Sequence, residues 1–528
     1  MPNRNSNLLV LLSLILCCGC SAAQASTLRV GPYLQNPAVD AMTIVWFSND
    51  DARSRIQVSG CESSAVDALV FDGWSNPGPA TAIQYKDSEI SRLADSVPTT
   101  IPYIHEERIT GLLAATCYRY QVTHGDTIYK STFRTAGLAD SRVRIIAYAD
   151  SETEPESTGK KVAWPGVEQD SADQRLYLVD QTTGYEENLK VIASRNPDLV
   201  AIAGDLVQFG GEQRDWDEFW RHNENLAASV PIVPALGNHE YASGPPQEGM
   251  WDTEATELAV GKYKTYFSVP DNGAQDPRHN ERYYSLHYGP VSLITLDTTD
   301  GSPNRSKLDT HWDLLGENDG AVAPAWQPGS AQHEWLIKQL KLAQESSKFT
   351  IVMFHQSPYT SGVHGHPLGP NASETNVTSS QPLQILTPLF LDHGVDLVLG
   401  GHGEMAEHSV VQETRGVGNS EVVRSVHFYD IGIGGDGLRG PAQSINNPHR
   451  TFLAHSDSIE KYSEDGTLLD GGKHYGHLEI EIGPDGSGKW TLKAEFVYVF
   501  PVTDPAGNVV RFERRVYDDR LVLPAQGN

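Results

Sequence analysis

The chain has 528 residues, of which 39% are hydrophobic and 20% charged, and this composition excludes collagen-like, coiled-coil and wholly disordered chains. At roughly 150 residues per domain, the length favours two to four domains. The 40 basic and 68 acidic side chains give a formal net charge of −28 at pH 7. A surface that acidic repels nucleic-acid backbones and anionic lipids, so nucleic acid is not expected as a general partner.

Residues 1–25 are typical of a secretory signal peptide. Arg4 precedes an apolar run from Leu8 to Leu16, and Ala23-Gln24-Ala25 then matches an A-x-A cleavage site. The apolar run is too short for a membrane span, and no other segment is long and apolar enough to be one. We therefore expect an exported protein, either periplasmic or secreted. In an alternative interpretation, a lipid anchor is attached to one of three cysteines, Cys17, Cys18 or Cys20.

Residues 26–138 are predicted to form a small antiparallel β-sandwich. Short strands alternate with turns, and Thr43–Phe47, Tyr118–Val122 and Tyr129–Thr135 are rich in β-branched and aromatic residues. The region also holds Cys61 and Cys117, which remain after cleavage of the signal. In an oxidising compartment these two cysteines could pair. The alternative is two unpaired cysteines that lie too far apart to bond.

Residues 139–528 are predicted to form an α/β layered domain. Buried strands alternate with helices there, and helices are expected at about Val179–Arg195 and Ala331–Glu345. Polar residues follow the strands directly. Because ligand sites in α/β sheets lie beyond the carboxyl ends of the strands, these polar residues are expected to converge. The predicted strands are Arg144–Ala149, Pro197–Ala203, Ile232–Leu236, Val291–Leu296, Phe349–Phe354 and Val395–Leu399.

Five short motifs occupy these strand ends in a fixed order. They are Asp150-Ser151-Glu152, Gly204-Asp205, Gly237-Asn238-His239-Glu240, His355 and Gly401-His402-Gly403-Glu404. Together they resemble the calcineurin-like metallophosphoesterase superfamily, whose pattern is D-x-H, G-D, G-N-H-[DE], H and G-H-x-H. In the first domain, Gly31–Gln35 and Cys117–Tyr120 resemble the fibronectin-like domain that precedes the catalytic domain of purple acid phosphatases.

The resemblance implies a dinuclear metal centre. Asp205 would bridge the two ions, and the first ion would also be bound by Asp150, Glu152 and Glu404. The second ion would be bound by Asp205 together with Asn238, His355 and His402. His239 would not bind metal but would face the phosphoryl oxygens, as a hydrogen-bond donor or as the acid that protonates the leaving group. His364, nine residues after His355, would be a phosphate binder or general acid, and His366 is its rival.

The sequence departs from the family pattern at Glu152 and Glu404, because histidines usually occupy both positions. The first site then contains only oxygen ligands, which favour a hard ion, Fe³⁺, Mn²⁺, Ca²⁺ or Mg²⁺. The second site keeps two imidazoles and an amide, which suit Zn²⁺, Mn²⁺ or Fe²⁺. Four carboxylates would neutralise two divalent ions. In the alternative interpretation, the glutamates point away and only the second ion binds.

Two further segments bear on the site. Gln208 stands where purple acid phosphatases carry a metal-ligating tyrosine, so the protein is not expected to be purple even with iron bound. The glycine-rich turn Ile431–Gly437 is interpreted as a place of close backbone packing, because no Gly-Lys-Ser/Thr follows it.

The resemblance therefore implies an exported, metal-dependent phosphoric ester hydrolase that uses hydroxide on a dinuclear centre. The expected substrate is a small phosphate monoester, because the pairing of domains resembles acid phosphatases. A phosphodiesterase is one alternative. Another is a non-catalytic protein that binds phosphate, Ca²⁺ or glycan, with the carboxylates around a structural ion. Single residues also have structural interpretations: Asp150 could cap a turn, and His355 could be a packed core histidine.

Overall fold

The structure is a computed structural model that describes residues 28–62, 69–93, 100–161, 176–245, 253–299, 323–365, 380–415, 422–436, 438–442, 445–454 and 458–525. The predicted signal peptide, residues 1–25 with its three cysteines, lies outside these ranges. None of the helices in the described ranges is long and apolar enough to cross a bilayer.

The N-terminal part is an antiparallel β-sandwich, as predicted, and its described residues also include one short helix that was not predicted. One four-stranded sheet has the strand order β1-β2-β6-β5, and the other has the order β4-β3-β7-β8. Residues alternate between buried and partly exposed along β7, which places one face of its sheet against the core. The elements are β1 (Leu28–Gln35), β2 (Ala41–Ser48), β3 (Ser54–Gly60), β4 (Leu69–Ser75), β5 (Gly78–Pro79), α1 (Asp87–Leu93), β6 (Tyr103–Thr110), β7 (Cys117–His124) and β8 (Thr127–Arg134).

A disulfide joins Cys61 to Cys117, which confirms the predicted pairing. The two cysteines are 56 residues apart in sequence, but their Cα atoms lie 5.5 Å apart. Strand pairing brings them together, because β3 pairs with β7 in antiparallel register and ends with Gly60 opposite Tyr118. The bond therefore closes a long loop that includes β4, β5, α1 and β6.

Replacing both cysteines by serine is expected to lower the free energy of unfolding of the sandwich by about 4 kcal/mol in the chain-entropy treatment of a loop of this length. Urea unfolding of the wild type and the double variant measures the difference. The wild type under reducing conditions is the control, and it should lose a similar amount. Titration of two free thiols in the unfolded, non-reduced mature protein would contradict the pairing.

The C-terminal part has two large β-sheets and helices, and it confirms the predicted α/β layered domain. The first sheet has the order β11-β10-β9-β21-β22-β23, and the second has the order β12-β13-β14-β15-β17-β16-β18. The strands of the C-terminal part are β9 (Val143–Tyr148), β10 (Leu199–Ile202), β11 (Ile232–Pro234), β12 (Tyr284–Tyr288), β13 (Val291–Thr295), β14 (Phe349–Gln356), β15 (Leu397–Gly401), β16 (Ala406–Arg415), β17 (Val422–Ile431), β18 (Arg450–Leu453), β19 (Lys461–Tyr462), β20 (Leu468–Asp470), β21 (Gly476–Pro484), β22 (Trp490–Thr503) and β23 (Val509–Pro524).

Two helices of this part begin directly after a residue whose side chain caps them. Asp180 accepts a hydrogen bond from the backbone N–H of Thr183, and Ser330 accepts one from that of His333, so two helices start at the next residue. The helices are α2 (Gln181–Ser194), α3 (Gln213–Ala227), α4 (Thr253–Tyr266), α5 (Ala331–Ser346) and α6 (Thr387–His393).

Each large sheet contains a parallel segment whose strands end at the same edge. β9, β10 and β11 run parallel in the first sheet, and β13, β14, β15 and β17 run parallel in the second. The strands β10 and β14 are buried along their whole length, which explains why β10 is apolar throughout and β14 is mostly apolar. The loops after these strands carry the motifs identified in the sequence.

The sandwich packs against the C-terminal part through aromatic residues. The Tyr33 ring lies 4.1 Å from that of Trp220, centroid to centroid, and the Tyr33 hydroxyl donates a hydrogen bond to the Tyr266 carbonyl. The predicted boundary at residue 138 lies between β8 and β9. The hydrophobic core around β9 also includes Val30 and Phe47 of the sandwich, so the core does not divide the chain at this residue. The boundary therefore stays a prediction.

Candidate metal centre

The strand-end motifs of both sheets lie at one site. Asp150 and Asp205 follow β9 and β10, whereas His355 lies near the end of β14 and His402 follows β15. The backbone N–H of His402 lies 3.0 Å from each carboxylate oxygen of Asp150, and the rings of His355 and His402 are 5.1 Å apart. The two sheets therefore meet where their parallel strands end, and the predicted convergence is confirmed for these four residues.

Most of the predicted ligands have a left-handed backbone conformation, with φ between 35° and 67°. Non-glycine residues seldom adopt this conformation, and such strain concentrates at functional sites. A tight turn at the strand end turns each side chain back toward the sheet edge. The five residues concerned are Asp150, Glu152, Asp205, His402 and Glu404.

Gly204 shows how closely the loops pack at this edge. Its φ is +91°, and a Cβ at this position would lie 2.7 Å from His355 Nδ1 and 2.9 Å from Gly237 Cα. Only glycine fits both the conformation and the space.

The second predicted site is built around Asp205 and His355. His355 Nδ1 lies 2.9 Å from the Ala203 carbonyl oxygen, so this nitrogen carries the hydrogen and donates it. Its Nε2 lies 2.8 Å from Asp205 Oδ2. In the neutral imidazole, both of these atoms are acceptors, so either a proton or a metal cation must lie between them. A histidine whose other nitrogen donates to a backbone carbonyl is the usual arrangement of a metal ligand.

The electrostatics of this pair agree with a cation site. Burial lowers the pKa of His355, but the facing Asp205 carboxylate outweighs it and raises the pKa to about 10. Burial likewise raises the pKa of Asp205, but His355 and His239 hold it well below its ordinary value. The carboxylate is therefore ionised and directed at the imidazole.

His402 and Asn238 complete this set. One ligand atom from each of Asp205, His355 and His402 lies within 4.8 Å of the others. Asn238 is 7% exposed, and among the described residues its Oδ1 has no hydrogen-bond partner. A buried amide oxygen without a donor is costly, and a metal ion would offset that cost. The four residues therefore fit a metal ion, as predicted for the second site.

Glu240, the last residue of the Gly-Asn-His-Glu motif, holds the loop around Asp205. Its Oε2 accepts hydrogen bonds from the backbone N–H groups of Asp205 and Gly237, and its Oε1 accepts one from Leu206. The side chain is completely buried. Glu240 thus positions the Asp205 loop without facing the centre itself.

Glu240→Gln is expected to weaken metal binding by about 10- to 100-fold, as seen for groups that orient metal ligands. The amide nitrogen of glutamine cannot accept a hydrogen bond, so at least one of the three N–H groups loses its partner. Metal titration of the apo protein measures the loss. Glu240→Asp, which keeps both acceptor oxygens but shortens the side chain, is the comparison. Unchanged affinity in Glu240→Gln would show that the loop holds its shape without this carboxylate.

The first predicted site is a cluster of buried carboxylates. Glu152 and Glu404 are both buried and both point into the centre rather than away from it. Carboxylate oxygens of Glu152, Glu404 and Asp436 lie within 4.8 Å of one another. Burial raises the pKa of Asp150 to about 8, and burial and the neighbouring carboxylates raise the pKa values of Glu152 and Glu404 well above their ordinary range. Such a cluster stays fully ionised only next to compensating positive charge, which a hard metal ion would supply.

Asp436 and Arg439 belong to this cluster but were not predicted. Asp436 lies in the glycine-rich turn, and its backbone N–H donates to the Asp150 carbonyl. Close packing was correctly predicted for this turn, because a Cβ on Gly432 would lie 2.6 Å from Asp150 Oδ2. A carboxylate just after a strand at the same edge was the available signal for Asp436. Arg439 Nε lies 2.6 Å from Glu404 Oε2, and no motif marks this arginine in the sequence.

The two predicted catalytic histidines contact different residues of the centre. His239 Nδ1 donates to the Gln208 carbonyl at 2.7 Å, which directs Nε2 to within 3.7 Å of Glu152 Oε1. His364 lies in a short 3₁₀ turn, Val363–Gly365, and its ring contacts that of His402, with the centroids 3.7 Å apart and the planes tilted by 34°. His364 is 7% exposed, so it is a buried residue and not a solvated loop histidine. Its rival His366 lies outside the described residues.

Comparison with known proteins identifies the domain. Residues 178–403 match the calcineurin-like phosphoesterase family model, so the chain carries a domain of this family. The matched range contains the four residues of the second site. A purple acid phosphatase from yellow lupin (Lupinus luteus) seeds superposes with a TM-score of 0.57 over 92% of this chain and 73% of that chain, at 17% identity. The fold is therefore that of purple acid phosphatases.

The chain also has distant relatives among curated proteins, and some of them are named purple acid phosphatases. Two uncharacterized proteins of Mycobacterium tuberculosis are 25% identical over 377 residues, which are 70% of this chain and 59% of theirs. Purple acid phosphatase 15 of Arabidopsis thaliana is 23% identical over 58% of this chain and 49% of its own. Probable inactive purple acid phosphatase 9 of the same plant is 23% identical over 41% and 30%. The chain thus spans less than two thirds of the length of these relatives.

Proposed function

We propose that this protein is an exported, metal-dependent phosphoric ester hydrolase with a dinuclear centre, acting on small phosphate monoesters. The observation that carries the proposal is the facing pair of Asp205 Oδ2 and His355 Nε2, 2.8 Å apart, with His402 completing a set of ligand atoms within 4.8 Å. Export is supported by the signal-like N-terminus and by the disulfide, which is typical of oxidising compartments.

The ligand assignment follows the two clusters. Asp205 would bridge the ions, with Asn238, His355 and His402 at the second and Asp150, Glu152 and Glu404 at the first. Bound there, the metal ions supply hydroxide at neutral pH and offset the charge of the phosphoryl group. Oxygen ligands favour Fe³⁺, Mn²⁺, Ca²⁺ or Mg²⁺ at the first site, and the imidazoles favour Zn²⁺, Mn²⁺ or Fe²⁺ at the second.

The two histidines have separate tasks in this proposal. His239 keeps its hydrogen on Nδ1 for the Gln208 carbonyl, so it acts on the substrate through Nε2. In the imidazolium form, Nε2 donates a hydrogen bond to a phosphoryl oxygen or a proton to the leaving alkoxide. His364 lies on the His402 side and binds the phosphoryl group from there. A monoester is proposed as the substrate because the named relatives with this fold are acid phosphatases.

A non-catalytic role is the second candidate, and two observations favour it. Glu404 forms an ion pair with Arg439 where the family pattern has a histidine. Some of the plant relatives are themselves named as probable inactive purple acid phosphatases. In this role, the carboxylate cluster would hold a structural Ca²⁺ and the centre would bind phosphate without turnover.

Measurements of catalytic turnover distinguish the hydrolase from the non-catalytic protein. We expect the purified, metal-loaded protein to hydrolyse p-nitrophenyl phosphate faster than bis-p-nitrophenyl phosphate, to lose activity with a chelator and to regain it with added metal. Metal content is measured on the same samples. Faster hydrolysis of the diester would favour a phosphodiesterase. Full metal content without turnover of either ester would favour the non-catalytic candidate.

A further inference from the structure

Arg439 is a cation within the carboxylate cluster that the ligand assignment does not use. Its Nε lies 2.6 Å from Glu404 Oε2, and its Nη1 lies 3.4 Å from His364 Nε2. The side chain is 41% exposed, whereas that of Glu404 is 4% exposed. The guanidinium thus lies at the boundary between the buried carboxylates and solvent, where an incoming substrate would meet it.

The charge of the centre calls for such a group. As metal ligands, Asp150, Glu152, Asp205 and Glu404 would carry four negative charges and neutralise two divalent ions, and an ionised Asp436 would add a fifth. A phosphate monoester carries up to two negative charges of its own, so this centre would attract it weakly. The usual pattern, with two histidines in place of the glutamates, would leave the ions a net positive charge.

We propose that Arg439 and His364 together bind the phosphoryl oxygens of the substrate, and that Glu404 positions the guanidinium. This inference rests on the proposed function, since it assigns the phosphate-binding group of the same centre. Arginine is the side chain best suited to this task, because its planar fork of N–H donors matches phosphate oxygens. A guanidinium has five N–H donors, so the contact with Glu404 leaves others for a phosphoryl oxygen.

The position of His364 connects this arginine to the metal centre. The His364 ring contacts the ring of His402, a proposed ligand of the second site, and its Nε2 faces Arg439. A phosphoryl group held by both side chains would therefore lie beside that ligand. Glu407 holds this loop in place, because its carboxylate accepts hydrogen bonds from the backbone N–H and the hydroxyl of Ser361, both at 2.7 Å.

The departure at position 404 has a physical reason in this arrangement. A histidine there could not hold a guanidinium by an ion pair, and as an imidazolium it would repel it. Glutamate at 404 and arginine at 439 are therefore expected to depend on each other, with the arginine restoring part of the positive charge that the glutamate removes.

Phosphate binding by Arg439→Met tests the proposal. The probe is inorganic phosphate, titrated calorimetrically into metal-loaded protein, with metal content measured on the same samples. We expect phosphate affinity to fall by about 10- to 100-fold, as for the loss of hydrogen bonds between charged groups, with metal content unchanged. Arg439→Lys should recover part of the affinity, since it keeps the charge but loses the fork.

Arg144→Met is the matched control. Arg144 also forms an ion pair with a glutamate, at 2.7 Å from Glu481, and is 33% exposed, but it lies at the other end of β9 from Asp150. Its replacement should leave phosphate affinity unchanged. Because the titration needs no turnover, weakened binding in Arg439→Met would support the assignment even if neither ester were hydrolysed.

Four results would overturn the proposal. One is no phosphate binding by the metal-loaded wild type. The first of the other three is an unchanged phosphate affinity in Arg439→Met. The second is a loss of metal in Arg439→Met while the molecules that still hold metal bind phosphate with unchanged affinity. The third is one metal ion in the wild type and two in Arg439→Met, which would show that the guanidinium replaces the first ion.

Discussion

Asp205→Asn is expected to lower kcat/KM by at least about 100-fold and to reduce metal content from two ions to less than one, because it removes the charge that is proposed to bridge the ions. The fold should persist. An asparagine at this position can accept the hydrogen bond from the backbone N–H of His239 and direct its amide N–H toward His355 Nε2. The variant thus replaces a cation site by an ordinary hydrogen bond. Metal analysis after dialysis and initial rates measure the two losses.

Asp198→Asn is the control for this variant. The Asp198 carboxylate also accepts a hydrogen bond from a backbone N–H, that of Arg144, but Asp198 directly precedes β10 whereas Asp205 follows it. The Asp198→Asn variant should change the stability of the fold slightly and leave metal content and rate constants unaltered. Full occupancy of both ions in Asp205→Asn would contradict the bridging role.

The double variant Glu152→His with Glu404→His is expected to change which metal the first site prefers. Two imidazoles replace two carboxylates, so the centre loses two negative charges and gains softer ligands. The affinity for Zn²⁺ relative to Ca²⁺ should rise by roughly tenfold or more. Each single variant leaves a mixed set of ligands, and Glu404→His also removes the partner of Arg439. Competitive metal titration with measured stoichiometry checks the result.

Two outcomes would count against the role of the glutamates. An unchanged preference with unchanged stoichiometry would show that neither glutamate is a ligand, and the hard-metal prediction would fail with them. A gain from one ion in the wild type to two in the double variant would show that the glutamates do not hold an ion by themselves. Glu481→His, at a partly exposed position on β21, is the control for introducing an imidazole away from the centre.

Local sequence was sufficient to predict the strand-end motifs. The apolar runs before Asp150, Asp205 and His355 are buried strands, and their ends lie where the runs stop. In a parallel segment, the ends of neighbouring strands share one edge, so residues just after them converge whatever the loops contain. The second site could be predicted for this reason, because each of its residues is tied to the end of a strand.

The sequence by itself therefore determined the two folded regions, the order of the motifs and the chemical nature of most of the residues at the centre. Only the tertiary structure decided that Glu152 and Glu404 point inward, that His364 is buried against His402, and that Asp436 and Arg439 join the cluster. The physical reason is the distance along the sequence over which each property is determined. Strand periodicity and turn conformation are local, whereas the pairing of Glu404 with Arg439 depends on how the loop after β17 packs across the ends of both sheets.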